Sequence, residues 1–148
     1  MSDYQEIINR YKDMRGGIIQ AYHAVQDHYG YIPEEAVTAA AKAFKMPKAQ
    51  AYGVATFYSY FKVGKRGRNV IRICESAPCH VAGADELVKT LEKELGIKMG
   101  ETTVDGRFTL EFTECVGQCQ STPVITINGK PYANVTADNV AAILAEYR

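Results

Sequence analysis

The chain has 148 residues, enough for one ordinary domain or a small domain with a helical extension. Hydrophobic residues make up 47% and charged residues 23%, the balance of a globular protein with a core. With 17 basic and 17 acidic residues the formal net charge is zero, which gives no reason to expect a nucleic-acid or acidic-membrane partner. No apolar run approaches the roughly 18 residues of a membrane span. The polar, acidic start Met1 to Glu6 is unlike a secretory signal, so a cytoplasmic protein is expected.

Residues 1–61 read as a small helical bundle. Tyr4 to Tyr11 gives a first short helix, and Gly16-Gly17 interrupts it. Ile18, Tyr22, Val25 and Tyr29 recur at helical spacing and form one apolar face, which Gly30 ends. Pro33 with Glu34 and Glu35 opens a third helix carrying Val37, Ala40, Ala41 and Phe44. Pro47 opens a fourth, with an expected stripe of Val54, Tyr58 and Phe61. Tyr52, Phe57, Tyr58, Tyr60 and Phe61 make an aromatic cluster whose default role is core packing. Residues 62–69 are basic and Gly-rich, the composition of a solvated linker.

From residue 70 the pattern changes to strands and helices, 70–148 forming a second domain. Val70 to Cys74 is a short apolar strand. Ala84, Leu87, Val88, Leu91 and Leu95 mark a helix ended by Gly96. Phe108, Leu110 and Phe112 alternate with polar residues, and Asp105-Gly106 turns that strand back on residues near Ile97 to Val104. Val124 to Ile127 is apolar on both faces and predicts a central strand. Asn128-Gly129 makes a hairpin into Lys130 to Ala133, and Thr136 is placed to cap a last helix with Val140, Ile143 and Leu144 inward. The whole is an α+β protein, a helical bundle followed by a small mixed sheet packed with two helices.

All four cysteines lie in this second part, as Cys74-x4-Cys79 and Cys115-x3-Cys119 on loops after strands. In a reducing compartment two such pairs favour a metal over disulfides. Structural zinc takes four cysteines, though its pairs are commonly spaced C-x2-C. A two-iron cluster also takes four, one pair for each iron, and suits wider loops. A Rieske centre needs a histidine pair that His23, His28 and His80 do not form, and no C-x-x-C motif is present. Spacing alone leaves zinc and iron–sulfur both open. No dinucleotide fingerprint, phosphate loop or catalytic constellation appears.

The segment Tyr52-Gly53-Val54-Ala55-Thr56-Phe57-Tyr58, the two cysteine pairs, Gly83-Ala84, the Val116-Gly117-Gln118 loop and Pro123 resemble one family across nearly the whole chain. It is the thioredoxin-like [2Fe–2S] subunit of NADH dehydrogenases, including the two-iron peripheral-arm subunit of respiratory complex I. Matching small subunits occur in NAD-reducing and electron-bifurcating hydrogenases and in NAD-dependent formate dehydrogenases. Gln26-x-x-Tyr29-Gly30-Tyr31-Ile32-Pro33 resembles its helical N-terminal region. Glu75-Ser76-Ala77-Pro78 replaces the Gly- and Thr-rich stretch of many relatives, and Gln118 and Thr122 stand where alanine is frequent.

The resemblance implies a thioredoxin-like fold for 70–148 and one [2Fe–2S] cluster held by Cys74, Cys79, Cys115 and Cys119. It implies an electron-transfer role, without a substrate site of its own, in a multi-subunit NAD(H)-linked oxidoreductase. The partner would be a flavin- and NADH-binding subunit carrying FMN and further iron–sulfur clusters, docked by the helical N-terminus, with any membrane contact made through the complex. The alternatives from other classes are a zinc-stapled interaction domain and a freestanding thioredoxin-like ferredoxin. Amides of the 115–119 loop are expected to donate to sulfur, and Pro78 removes a donor. Glu75 and Glu114 add negative charge beside the ligands and should disfavour reduction. His80 reads as an exposed loop residue, His23 and His28 as surface or capping residues, and Thr122-Pro123 as a cis-proline site.

Overall fold

A computed structural model describes residues 3–147. The chain divides between Lys65 and Arg66 into two compact units, inside the basic segment.

The first unit contains four helices: α1 (Asp3–Asn9), α2 (Gly17–Tyr29), α3 (Glu34–Ala43) and α4 (Lys48–Phe57). Gly16 and Gly30, at φ 71° and 79°, take the left-handed conformations that start and stop α2, and the Gly30 N–H closes on the Gln26 carbonyl. The predicted face of α2 is the buried one: Ile18, Tyr22 and Val25 enter the core, joined by Ala21. Its counterpart on α3 is Val37, Ala40 and Ala41. Gln26, although polar, is buried, and both ends of its amide are used. Nε2 donates to the Tyr60 carbonyl at 3.0 Å, and Oε1 accepts the Lys62 N–H at 2.8 Å. A buried amide satisfied at both ends fixes the chain that leaves α4.

The α4 stripe differs from its expected form. The helix stops at Phe57, and Tyr58 is extended at φ −90°, ψ 123°. The face buried on α4 is Ala51 and Ala55, where small side chains let α4 approach and the Tyr22 hydroxyl reach the Ala51 carbonyl at 2.9 Å. Of the five aromatics only Phe61 is buried, from beyond the helix, edge-on to Tyr22 and His23. Tyr52, Phe57, Tyr58 and Tyr60 are exposed, so core packing accounts for one member of that cluster. His23 is half-buried against Tyr60 and Phe61, and His28 is exposed beside Tyr29.

The second unit is a four-stranded mixed sheet in the order β2-β1-β3-β4, formed by β1 (Asn69–Cys74), β2 (Phe108–Thr113), β3 (Ile125–Ile127) and β4 (Lys130–Tyr132). β1 and β2 are parallel, with Ile71 opposite Leu110 and Cys74 opposite Thr113, while β1–β3 and β3–β4 are antiparallel. Parallel neighbours require a long crossover, which here carries two helices, α5 (Ala77–Val81) and α6 (Ala84–Leu95). α6 buries Ala84, Leu87 and Leu91 and lies between left-handed Gly83 and Gly96. The last helix, α7 (Val140–Ala145), buries Val140 and Leu144, and together these cover Ile71, Ile73, Leu110, Ile125 and Ile127. Asn128 and Gly129 both have positive φ, the requirement of a tight hairpin of the predicted kind.

Three local expectations change. Residues 97–104 pair with β2 without becoming a regular strand: a single bridge joins Thr102 to Thr109, and Gly100 and Thr103 donate to the Leu110 and Phe108 carbonyls. Thr103 and Asp105 side chains capture the Arg107 N–H, which ends the pairing in a turn. Thr136 does not cap α7 directly; Asn139 is at that position, and its Oδ1 accepts the Thr136 N–H across an intervening turn. The end of the basic segment is not solvated either. Arg66 forms a paired contact with Glu111 and is 8% exposed, and the Gly67 N–H donates to Thr109 Oγ1 at 2.7 Å.

Candidate metal centre

The parallel pairing of β1 and β2 sends both cysteine-bearing segments off the same edge of the sheet. Cys74 is the last residue of β1, and Cys115 follows the end of β2 by two residues. The Cys74 N–H donates to the Val124 carbonyl and the Glu75 N–H to the Thr113 carbonyl, so the two exits are tied together as well as aligned. Cys79 is not on a loop, as its spacing suggests, but on the short helix α5, and Cys119 begins a single 3-10 turn ending at Ser121. A proline in the first turn of α5 is compatible with helix because its missing N–H would have no partner there.

The four thiols form an inner and an outer pair. Cys74 and Cys79 are 1% and 2% exposed and share a hydrogen bond, whereas Cys115 and Cys119 are exposed with sulfurs 3.4 Å apart. The pairs meet: the Val116 N–H donates to Cys74 Sγ, and Cys119 lies close enough to feel charge on Cys74. Gly117, at φ 81°, turns its own N–H onto Cys115 Sγ at 3.4 Å, the donor role expected of this loop. The Thr122–Pro123 peptide is cis, and the Val124 N–H that follows it donates to Cys79 Sγ.

These contacts set the acidity of the inner pair in opposite directions. Burial pushes the Cys74 thiol up, but hydrogen bonds from the Ser76 N–H, Cys79, the Ser76 hydroxyl and the Val116 N–H outweigh it and hold Cys74 below the ordinary range. Cys79 is raised, first by burial and then by donating to Cys74, with the Val124 N–H partly opposing. Cys119 is raised chiefly by its hydrogen bond to Cys115. The donors around one inner sulfur thus favour its thiolate form, the form a metal needs.

A single zinc takes its four thiolates at one point, whereas a two-iron centre takes two thiolates on each iron. The remaining predicted neighbours lie outside this arrangement. Glu75 and Glu114 are exposed, and His80 is exposed on α5 with Nδ1 3.2 Å from Asp85. Ser76 and Val124 join the site without a motif of their own: a serine two residues after a cysteine is the one readable signal, while Val124 is brought to Cys79 by tertiary structure alone.

Residues 4–148 match the family described as thioredoxin-like [2Fe–2S] ferredoxin. The chain belongs to that family. Among curated relatives of this ferredoxin, the NADP-reducing hydrogenase subunit HndA of Solidesulfovibrio fructosivorans is 35% identical over 147 residues, 97% of this chain and 86% of the relative. An NADH-quinone oxidoreductase subunit of Pseudomonas aeruginosa is 36% identical over 146 residues, covering 99% and 88%. Its Escherichia coli K12 counterpart is 39% identical over 141 residues, covering 95% and 85%. The fold is shared with an NAD+-reducing [NiFe]-hydrogenase crystallised in the air-oxidised state, at TM-score 0.74 and 25% identity over 85% of this chain. This ferredoxin corresponds to only 22% of that hydrogenase chain. No helix among the described residues is long and apolar enough to cross a membrane.

Proposed function

We propose that this chain is the [2Fe–2S] electron-transfer subunit of a multi-subunit NAD(H)-linked oxidoreductase. Cys74 and Cys79 would hold one iron and Cys115 and Cys119 the other. The observation that carries this reading is the approach of two thiol pairs, one buried and one exposed, where β1 and β2 end side by side. Relatives named as subunits of a hydrogenase and of NADH-quinone oxidoreductases support its place in such a complex.

Bound there, a [2Fe–2S] cluster supplies one-electron transfer. The chain supplies the rest. The inner cysteines exclude water from one side, Val116 and Val124 direct N–H groups at inner sulfurs, and Gly117 directs one at an outer sulfur. Donors aimed at sulfur offset the negative charge of thiolate ligation and so favour acceptance of an electron. The exposed Cys115 and Cys119 form the side through which a redox partner is reached. That partner is a flavin-bearing, NADH-binding subunit with FMN and further iron–sulfur clusters, and the assembly is a cytoplasmic hetero-oligomer docked through residues 1–61.

The test is anaerobic purification of the full chain. Two irons and two sulfides per chain, with visible absorption that bleaches on reduction, are expected. A colourless, zinc-loaded protein would overturn the reading and leave the zinc-stapled interaction domain. Co-purification with a flavoprotein separates the complex-bound role from a freestanding ferredoxin.

A further inference from the structure

Four aromatic side chains of the first unit face water: Tyr52, Phe57, Tyr58 and Tyr60, at 47%, 79%, 41% and 50% exposure. They are joined rather than scattered. Phe57 and Tyr58 pack edge-on at 5.0 Å, and Tyr58 and Tyr60 each stand edge-on to the buried Phe61, at 5.9 and 6.0 Å. Gln26 holds the backbone at Tyr60 and Lys62, so this surface is preformed and loses little freedom on contact. Contiguous apolar surface left in water marks a contact with another molecule, and tyrosine is enriched where that molecule is a protein.

Gly53 lies within α4, next to Tyr52 and one turn before Phe57. It is exposed, and a Cβ built on it would meet nothing within 4 Å. Glycine inside a helix is unfavourable relative to alanine, and nothing within this chain requires it here. A partner backbone that comes close to the helix does require it. Charge adds a further constraint. Residues 36–65 contain five lysines and no aspartate or glutamate, although the whole chain is neutral. Lys48 is met by Glu34 at 2.7 Å, and Lys42, Lys45 and Lys65 are exposed. The complementary surface is therefore apolar at its centre and acidic at its rim.

We propose that this aromatic face is the docking surface for the flavin-bearing, NADH-binding subunit, which approaches α4 most closely at Gly53, given the complex proposed above. A fluid lipid surface needs no gap in a helix, so the glycine favours a protein. The aromatics supply the apolar anchor, and the lysines around them orient an acidic partner.

The experiment titrates the purified FMN-containing, NADH-oxidising subunit onto the full chain carrying its cluster, as wild type, Phe57→Ala, Gly53→Ala and Val104→Ser. Thermal unfolding of each chain is followed separately. Phe57→Ala is expected to bind roughly tenfold more weakly, with its unfolding temperature unchanged. Gly53→Ala is expected to bind more weakly while unfolding at a higher temperature, because alanine favours the helix. Val104→Ser, at a fully exposed position of the second unit, should bind as the wild type does. Wild-type binding should weaken as salt is raised. Unchanged affinity in Phe57→Ala or in Gly53→Ala would overturn the proposal, as would an equal loss in Val104→Ser. A dimer of the chain alone that Phe57→Ala disperses would also overturn it, by giving the face to a second copy. Binding to phosphatidylglycerol vesicles that Phe57→Ala abolishes would overturn it in favour of a membrane. A wild-type chain that carries its cluster yet does not bind the flavoprotein would instead overturn the complex-bound role itself.

Discussion

Arg66 and Glu111 face each other as two parallel hydrogen bonds, Nε to Oε1 at 3.0 Å and Nη2 to Oε2 at 2.8 Å, with side chains 8% and 11% exposed. Arg72 Nε adds a third contact to Oε2 at 3.3 Å, so one carboxylate serves two guanidinium groups. Removing the shared carboxylate takes away the anion that lies against both the Arg66 and Arg72 guanidinium groups. Glu111→Ala is expected to cost about 3–5 kcal/mol in urea unfolding. Arg66→Ala should cost less, since Arg72 still neutralises Glu111. Equal losses in the two variants would contradict this account.

Gly67 lies against the backbone of the strand beside it. A Cβ there would stand 2.8 Å from the Phe108 carbonyl carbon and 2.9 Å from its nitrogen, and a main chain inside a sheet cannot move aside cheaply. Gly67→Ala is expected to destabilise by about 1–3 kcal/mol, the usual cost of forced overpacking. Gly64→Ala, with open space around its position, is the control and should be nearly neutral in the same unfolding measurement.

Tyr22 is buried, and burial pushes its hydroxyl up to about 12 from an ordinary value near 10. A raised value means that the folded chain keeps the proton longer than the unfolded chain. Its contribution is fully present below pH 10 and is lost as pH rises through about 12. Tyr22→Phe removes the bond to the Ala51 carbonyl and should cost about 1 kcal/mol near neutral pH. It should also flatten the fall in stability between pH 10 and 12 relative to wild type, read by far-UV circular dichroism in urea.

Glu75 adjoins Cys74 in sequence, yet its side chain is exposed. Glu75→Gln should raise the midpoint potential of the centre at low salt by removing nearby negative charge. Because water and ions surround the carboxylate, the difference should fade at high salt, where the screening length drops to about 3 Å at 1 M. A salt-independent rise, or an unchanged or lower potential at low salt, would contradict this.

Much of this architecture was readable because it rests on local rules. Ile18, Tyr22 and Val25 announce α2 by spacing, its flanking glycines announce its ends, and the alternation of Phe108 to Thr113 announces β2. Asn128-Gly129 could form little else but a tight turn. Features set by distant partners were not readable in the same way. Arg66 reads as one more solvated charge until Glu111 is folded beside it, 45 residues later. Phe61 reads as part of a helical stripe because nothing local reveals that Gln26 seizes the chain at Tyr60 and Lys62. At the centre, spacing located all four cysteines, whereas their division into buried and exposed pairs depends on which strands they follow. The donors from Val116 to Cys74 and from Val124 to Cys79 are likewise tertiary.

The pairing of Ile71 with Leu110 and of Arg72 with Glu111 carries a consequence for tolerance to mutation. A slip of one residue between β1 and β2 moves one cysteine segment about 3.3 Å along the strand, comparable to the 3.4 Å between the outer sulfurs. The same slip would turn Ile71 and Ile73 out of the core and part Arg72 from Glu111, so it is opposed on both faces of the sheet. Residues that touch no sulfur therefore act as the ruler against which the thiols are spaced. Damage to that ruler would reach the laboratory as a chain that folds yet loads iron poorly, with every cysteine intact.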